Sequence, residues 1–149
     1  MTPAVEAARR AGIPFELHEY EGVAVGQGDY ALAVALALGR PPAQLFKTLV
    51  ASVDGALSVF VVPADRQLDL RAAGKRTTLA DRVQAERATG YVAGGISPLG
   101  LRRRLPTTID ESALGWETIL VSAGRRGLQI ELSPGDLVRL TGALVKPIT

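Results

Sequence analysis

The sequence predicts one α/β domain of the α+β kind over residues 1–149, with a curled, mixed, largely antiparallel sheet or barrel surrounded by helices. Two β-rich pairs carry this reading: 46–53 with 57–62 around Asp54-Gly55, and 117–122 with 127–132 across residues 123–126. Helical patterns lie before, between and after them. Hairpins set neighbouring strands antiparallel, which disfavours a doubly wound parallel sheet. The chain has 149 residues, 47% hydrophobic and 21% charged, enough to bury a core and too apolar for disorder.

The elements follow in order. Thr2-Pro3 reads as an N-cap with proline at the first helical position, and Gly12 as the stop. Residues 15–20 alternate as a half-buried strand, with Phe15 and Leu17 on one face and Glu16, His18 and Tyr20 on the other. A glycine-spotted loop over 21–28 leads to a buried helix over 29–38, capped by Asp29 and ended by Gly39. After the first hairpin, 75–90 is a polar helical stretch with Thr78 and Asp81 spaced as a capping box. A glycine-rich loop occupies 91–100. The second hairpin follows, and Ser133-Pro134-Gly135-Asp136 opens a short helix over 137–140, with Asp136 in a capping role. There is no repeat, linker or low-complexity tract.

Composition removes several chemistries. No cysteine is present and His18 is the single histidine, so disulfides, cysteine nucleophiles, thiolate metal sites and multi-histidine clusters are excluded. No metal or cofactor is expected. The most apolar run, 30–38, is too short to span a bilayer, and the N-terminus lacks a signal-peptide core; a cytoplasmic protein without a membrane partner is expected. The net charge of +2 conceals an asymmetry: residues 1–65 carry −3 and residues 66–149 carry +5. That split suits a polyanionic partner or simply solvated arginines.

Few residues are left to carry chemistry. Lys47 shares a strand face with Leu49, Ala51 and Val53, where a cation is costly to desolvate and is therefore paired, functional or snorkelling to water. His18 sits on a polar strand face, and no serine has a nucleophile-elbow context to use it. Two glycine stretches, 89–100 and 122–127, let backbone amides approach a ligand, though neither fits a phosphate-binding fingerprint. The second is also what a tight hairpin turn requires. Arg102, Arg103 and Arg104 are three consecutive cations suited to phosphate or to solvent.

Phe46-Lys47-Thr48-Leu49, the block 87–100, Leu105-Pro106-Thr107 and the block 121–132 together resemble the bacterial YbaK/EbsC-type deacylases. These are free-standing relatives of the editing domain of bacterial prolyl-tRNA synthetases. The resemblance runs through essentially the whole chain. It implies clearance of misacylated tRNA, foremost Cys-tRNA(Pro), with the 3′ CCA end of aminoacyl-tRNA as partner and a prolyl-tRNA synthetase as a possible second one. Lys47 matches the family's essential lysine and is the expected catalytic residue. Tyr20, Thr48, Gly94 and Gly95 would bind substrate. Ser97, Ser122, Gly124 and Gln129 would complete that site, and Arg102 to Arg104 would meet nucleic acid. In the cysteine-specific branch the substrate's own thiol attacks the carbonyl, so no protein nucleophile is needed. Two positions depart: Gln129 stands where that branch has an aspartate, and Ala123-Gly124 where two glycines are usual. A deacylase for alanine or serine, or a non-catalytic tRNA- or synthetase-binding module, stays open beside the cysteine reading.

Overall fold

The computed structural model describes residues 1–24 and 29–149. Helix α1 (Pro3–Ala11) begins where Thr2 Oγ1 accepts the Val5 N–H at 3.1 Å and ends at Gly12, whose φ of 69° suits a residue without a Cβ. Its inner face presses Ala4, Val5 and Ala8 into the core. Strand β1 (Glu16–Glu19) is shorter than predicted, and Tyr20 lies just beyond it. Of the expected loop over 21–28, residues 25–28 lie outside the described residues. Helix α2 (Tyr30–Leu38) closes at Gly39 as expected. Asp29 holds its N-cap position, but the carboxylate makes no capping hydrogen bond. Nor is the helix buried all round: Val34 and Ala35 are inside, whereas Leu36 is 78% exposed.

Strands β2 (Phe46–Val53) and β3 (Ala56–Pro63) form the predicted hairpin in unbroken register, from Phe46 opposite Pro63 to Val53 opposite Ala56. Asp54 and Gly55 have φ of 50° and 89°, the left-handed pair that a two-residue turn needs to match strand twist.

The stretch over 75–90 differs from expectation. Helix α3 (Leu70–Ala73) is followed by strand β4 (Thr78–Leu79), which pairs with Ser52 and Ala51 on the free edge of β2. The backbone groups of Thr78 are thus taken by a sheet, and the helix cannot start there. Helix α4 (Arg82–Thr89) starts later with a different capping box: Asp81 Oδ1 accepts the Gln84 N–H at 2.8 Å, and Gln84 Oε1 accepts the Asp81 N–H at 3.3 Å.

Strand β5 (Thr107–Asp110), a 3₁₀ turn (Glu111–Gly115), strands β6 (Ile119–Ser122) and β7 (Leu128–Leu132), helix α5 (Pro134–Thr141) and strand β8 (Leu144–Lys146) complete the chain. Ser133 caps α5 by accepting the Asp136 N–H at 3.1 Å, so the helix begins at Pro134, earlier than predicted, and Asp136 pairs with Arg139 instead of capping.

The strands form two sheets. One is antiparallel with order β1-β7-β6; the other is mixed with order β4-β2-β3-β5-β8, where β5 runs parallel to both β3 and β8. They are stitched by a parallel bridge between Leu45 and Leu120. The expected barrel does not close: among the described residues no ladder continues past β4 or β8. The main core between the sheets and α1 packs Phe46, Val59, Ile109, Ile119, Ile130 and Leu137.

One partly buried polar cluster pins the smaller sheet. Glu131 on β7 receives Arg40 Nη1 and Nη2 at 3.0 and 2.6 Å, Thr118 Oγ1 at 2.6 Å and His18 Nε2 at 2.8 Å. Burial alone would push the Glu131 carboxyl up, but these donors and the Arg40 charge outweigh it and hold it at about 2 instead of 4.5. Because the folded value is depressed, the stabilisation is complete above the unfolded value and fades as pH falls toward 2. Glu131→Gln should lower the unfolding free energy at pH 7 by about 2–3 kcal/mol, a deficit that shrinks below pH ~4.5. Urea titrations of both proteins from pH 7 to pH 3 measure it.

Candidate functional site

A cavity of about 400 Å³ opens between the start of β2, the first turn of α2, the ends of β6 and β7, and the glycine loop after α4. Strand β2 supplies most of one wall. Leu49, Ala51 and Val53 pack with Phe60, Val62 and Ile148, as the period of two predicts, and Lys47 stands at the edge of that apolar face opposite Val62. Burial lowers the Lys47 pKa, while Asp29 and Asp65 act in the opposite sense and favour the ammonium. The lysine is therefore partly desolvated and lines a concave site.

Thr48, Ser122 and Gln129 line the same cavity. Ser122 and Gln129 face each other across the β6–β7 ladder, so the end of that hairpin delivers both at once. Thr48 Oγ1 and Gln129 Oε1 are buried without a hydrogen-bond partner among the described residues. Buried oxygens of this kind are costly unless water or a ligand supplies donors, and two in one cavity make it a candidate binding site.

The glycine loop forms the facing wall. The Gly95 N–H donates to Val92 O at 2.9 Å, closing a turn in which Gly94 has φ of 87°. Ala93 and Gly94 line the cavity; Gly95 does not. Gly95 instead lies against the second hairpin, where a Cβ would stand 2.7 Å from Arg125 Cα.

The other expected site residues have different places. Ser97 is fully buried, and its Oγ accepts the Leu99 N–H at 3.2 Å, which shapes the loop away from the cavity. Gly124, with φ of 101°, leaves room for the Tyr91 ring, 2.9 Å from where its Cβ would be. Tyr20 is behind the wall: its hydroxyl lies 2.9 Å from that of Tyr30, and Tyr30 is the tyrosine that faces the cavity. Burial and this hydrogen bond push the Tyr30 hydroxyl well above its ordinary pKa, so it stays protonated. Arg102, Arg103 and Arg104 are exposed and outside the cavity lining; Arg102 lies over Gly90.

Sequence reasoning missed Tyr30 and Asp29 as site residues. The available signal was a phenol at the first turn of an otherwise aliphatic helix, beside a carboxylate that no capping bond consumes. Among the described residues, one trio could offer metal ligands: Glu16, His18 and Glu131, whose ligand atoms lie within 4.8 Å of one another. Glu131 is already engaged by Arg40, Thr118 and His18, so the trio serves the ion-pair cluster and stands apart from the cavity. Lys47, Ser122, the Gly94 backbone and the unpaired oxygens can together bind a small polar group and polarise a carbonyl.

The family model described as the aminoacyl-tRNA editing domain matches residues 27–140. The chain belongs to the aminoacyl-tRNA editing domain family. EbsC of Enterococcus faecalis, an inferred Cys-tRNA(Pro)/Cys-tRNA(Cys) deacylase, is 34% identical over 99% of this chain and 93% of its own length. Among solved structures, an inferred trans-editing enzyme for prolyl tRNA synthetase superposes with a TM-score of 0.79 at 26% identity, covering 100% of this chain and 98% of the other. A hypothetical protein superposes with a TM-score of 0.87 at 26% identity, covering 98% of both chains. The editing-domain match contains every cavity residue discussed above, from Asp29 to Gln129. No helix among the described residues is long and apolar enough to cross a membrane.

The close approach at Gly95 makes a prediction about the editing-domain scaffold. Gly95→Ala should force the loop and hairpin apart and destabilise the fold by about 1–3 kcal/mol. Gly115→Ala, where an added Cβ meets nothing within 4 Å, should stay within about 0.5 kcal/mol of wild type. Thermal denaturation of the two variants side by side tests the contrast.

Proposed function

We propose that the cavity receives the aminoacyl 3′ end of a misacylated tRNA and that the protein cleaves the ester in trans, with Cys-tRNA(Pro) as its foremost substrate. The observation that carries this is the half-buried Lys47 in one cavity with the unpartnered oxygens of Thr48 and Gln129, inside the segment that matches the editing-domain model. Residues 1–149 act as one editing unit on this reading. Thr2, outside the matched segment, donates its hydroxyl to Ala123 O at 2.5 Å and ties α1 to the hairpin that carries Ser122.

The chemistry asks little of the protein. An aminoacyl ester is activated, and positioning with oxyanion stabilisation supplies much of the needed acceleration. With cysteine as the amino acid, its thiol sulfur bonds to the ester carbonyl carbon, the bond from carbon to the ribose oxygen breaks, and the thiol proton passes to that oxygen. Free tRNA and a cyclised amino acid leave. Lys47 holds the terminal nucleotide or polarises the carbonyl, and the Gly94 amide orients the aminoacyl group. Ser122, Thr48 and Tyr30 line the side-chain pocket, with Tyr20 fixing Tyr30 from behind. Gln129 offers a neutral amide to the substrate ammonium. That neutrality favours a second reading, a deacylase for serine or alanine, in which activated water replaces the thiol.

Arg102 to Arg104 would contact tRNA phosphates outside the cavity, and a prolyl-tRNA synthetase would present the substrate; both roles place the protein in the cytoplasm. Lys47→Ala should lower kcat/KM on Cys-tRNA(Pro) by about 100-fold without changing the melting temperature by more than a few degrees. Unchanged kinetics would remove Lys47 from the mechanism. Under thiol attack, Ser-tRNA should persist while Cys-tRNA(Pro) is consumed; equal turnover of both would establish water as the nucleophile. Replacing Arg102, Arg103 and Arg104 together by alanine should raise KM and flatten its salt dependence with kcat retained, as expected when phosphate contacts are lost.

A further inference from the structure

We infer that Glu86 and Arg126 are positioning residues for ester cleavage: they clamp the two peptide planes flanking Ala93 and thereby aim the Gly94 N–H at the substrate carbonyl. The inference rests on the reading that the cavity holds an aminoacyl ester, and adds to it how the chain builds its backbone donor.

Glu86 lies on α4, near its C-terminal end, and its side chain reaches forward past Gly90. Its Oε2 accepts the Ala93 N–H at 2.7 Å and the Arg82 Nε–H at 3.2 Å. Arg126, in the turn of the second hairpin, donates Nε–H to Ala93 O at 2.8 Å. The two anchors come from different elements and grip opposite ends of one residue.

The geometry has a directional consequence. Ala93 O belongs to the same peptide unit as the Gly94 N–H, and a planar trans peptide points the two in opposite directions. Fixing the carbonyl on Arg126 therefore fixes the direction of the Gly94 N–H. A cationic donor on that carbonyl also polarises the amide and makes its N–H a stronger donor. The Gly94 N–H has no hydrogen-bond acceptor among the described residues, while the next amide, Gly95, is used within the turn. Glu86 removes the remaining freedom by holding the preceding peptide plane. Its carboxyl lies below its ordinary pKa because the Ala93 N–H and then Arg82 stabilise the charged form, which is the state that accepts both bonds at neutral pH.

Two charged side chains near the surface, one paired with Arg82 and the other bonded to a carbonyl, would ordinarily contribute little. Here each ends on a backbone group that lines the cavity wall, so their effect should appear in the rate more than in stability. The test measures kcat and KM of the full chain on Cys-tRNA(Pro) for wild type, Glu86→Ala, Glu86→Gln, Arg126→Ala and Lys47→Ala, with melting temperatures alongside. Glu86→Ala should lower kcat about tenfold with KM within about twofold, since a slightly misaimed donor is lost mainly from the transition state. Glu86→Gln keeps an amide oxygen to accept the Ala93 N–H and should recover kcat to within about threefold of wild type. Arg126→Ala should lower kcat by a similar factor; it reads the clamp from the hairpin side even if a Glu86 variant fails to fold. Wild-type kcat in both alanine variants, with Lys47→Ala inactive, overturns the clamp and leaves the cavity reading intact. Equal loss in Glu86→Ala and Glu86→Gln, in step with lowered melting temperatures, makes the contact purely structural and also overturns it. A wild-type protein inert toward Cys-, Ser- and Ala-tRNA would instead overturn the cavity reading itself.

Discussion

The structure depends on one contact between bare backbones. Gly95, in the loop after α4, lies against Arg125 in the turn of the second hairpin so closely that no side chain fits between them. This contact brings two segments thirty residues apart in sequence into a single wall. The wall faces β2, which belongs to the other sheet, and the cavity lies between them beside the point where the sheets are stitched. The stitch is the bridge from Leu45 to Leu120, next to Phe46 and Lys47. Moving either junction changes the distance between Lys47 and the glycine loop.

That arrangement also explains the electrostatics of Lys47. An ammonium at the edge of an apolar strand face loses hydration, and the loss lowers its pKa. Asp29 and Asp65 offset this without closing an ion pair on it, since no salt bridge to Lys47 is found among the described residues. Carboxylates that favour the ammonium from a distance leave it available to an incoming oxygen. The Glu131 cluster shows the opposite arrangement. There Arg40, Thr118 and His18 satisfy the carboxylate at close range, and the group is committed to holding β1 and β7 in place.

Local chemistry was legible in the sequence wherever a few adjacent residues decide the outcome. Thr2-Pro3 with Gly12, Asp54-Gly55 and Ser133-Pro134 act through hydrogen bonds or dihedrals confined to their own turns. Strands β4, β5 and β8 were not legible, because each is two to four residues long and is extended only by pairing with distant partners. Thr78 has the spacing of a cap yet becomes a strand, since the edge of β2 competes for its backbone. Lys47 could be singled out by its disagreement with the strand around it. Tyr30 offered a weaker signal, a phenol in the first turn of an otherwise aliphatic helix, and its hydrogen bond with Tyr20 becomes visible only in the fold. The resemblance to editing proteins pointed to the loop and hairpin that line the cavity; of the residues it named there, Gly95, Ser97 and Gly124 do not line it.

A pocket with a cation, a hydroxyl and free amide groups, in a chain without cysteine and with its one histidine tied to Glu131, is better suited to stabilising charge than to supplying a nucleophile. Such a site gains selectivity from what the substrate brings. A thiol held next to its own activated carbonyl reacts once the leaving oxyanion is stabilised, whereas a hydroxyl in the same place is a weaker nucleophile at neutral pH. Discrimination between nearly isosteric side chains then comes from reactivity, where binding alone distinguishes them poorly. Gln129 fits this logic: a neutral amide in a buried position can orient the amino acid without the strong ion pair that would make every aminoacyl group bind alike. On the proposed function, specificity in this cavity is governed by the barrier to cleavage, and residues that aim the donor at that barrier would matter as much as those that touch the amino acid.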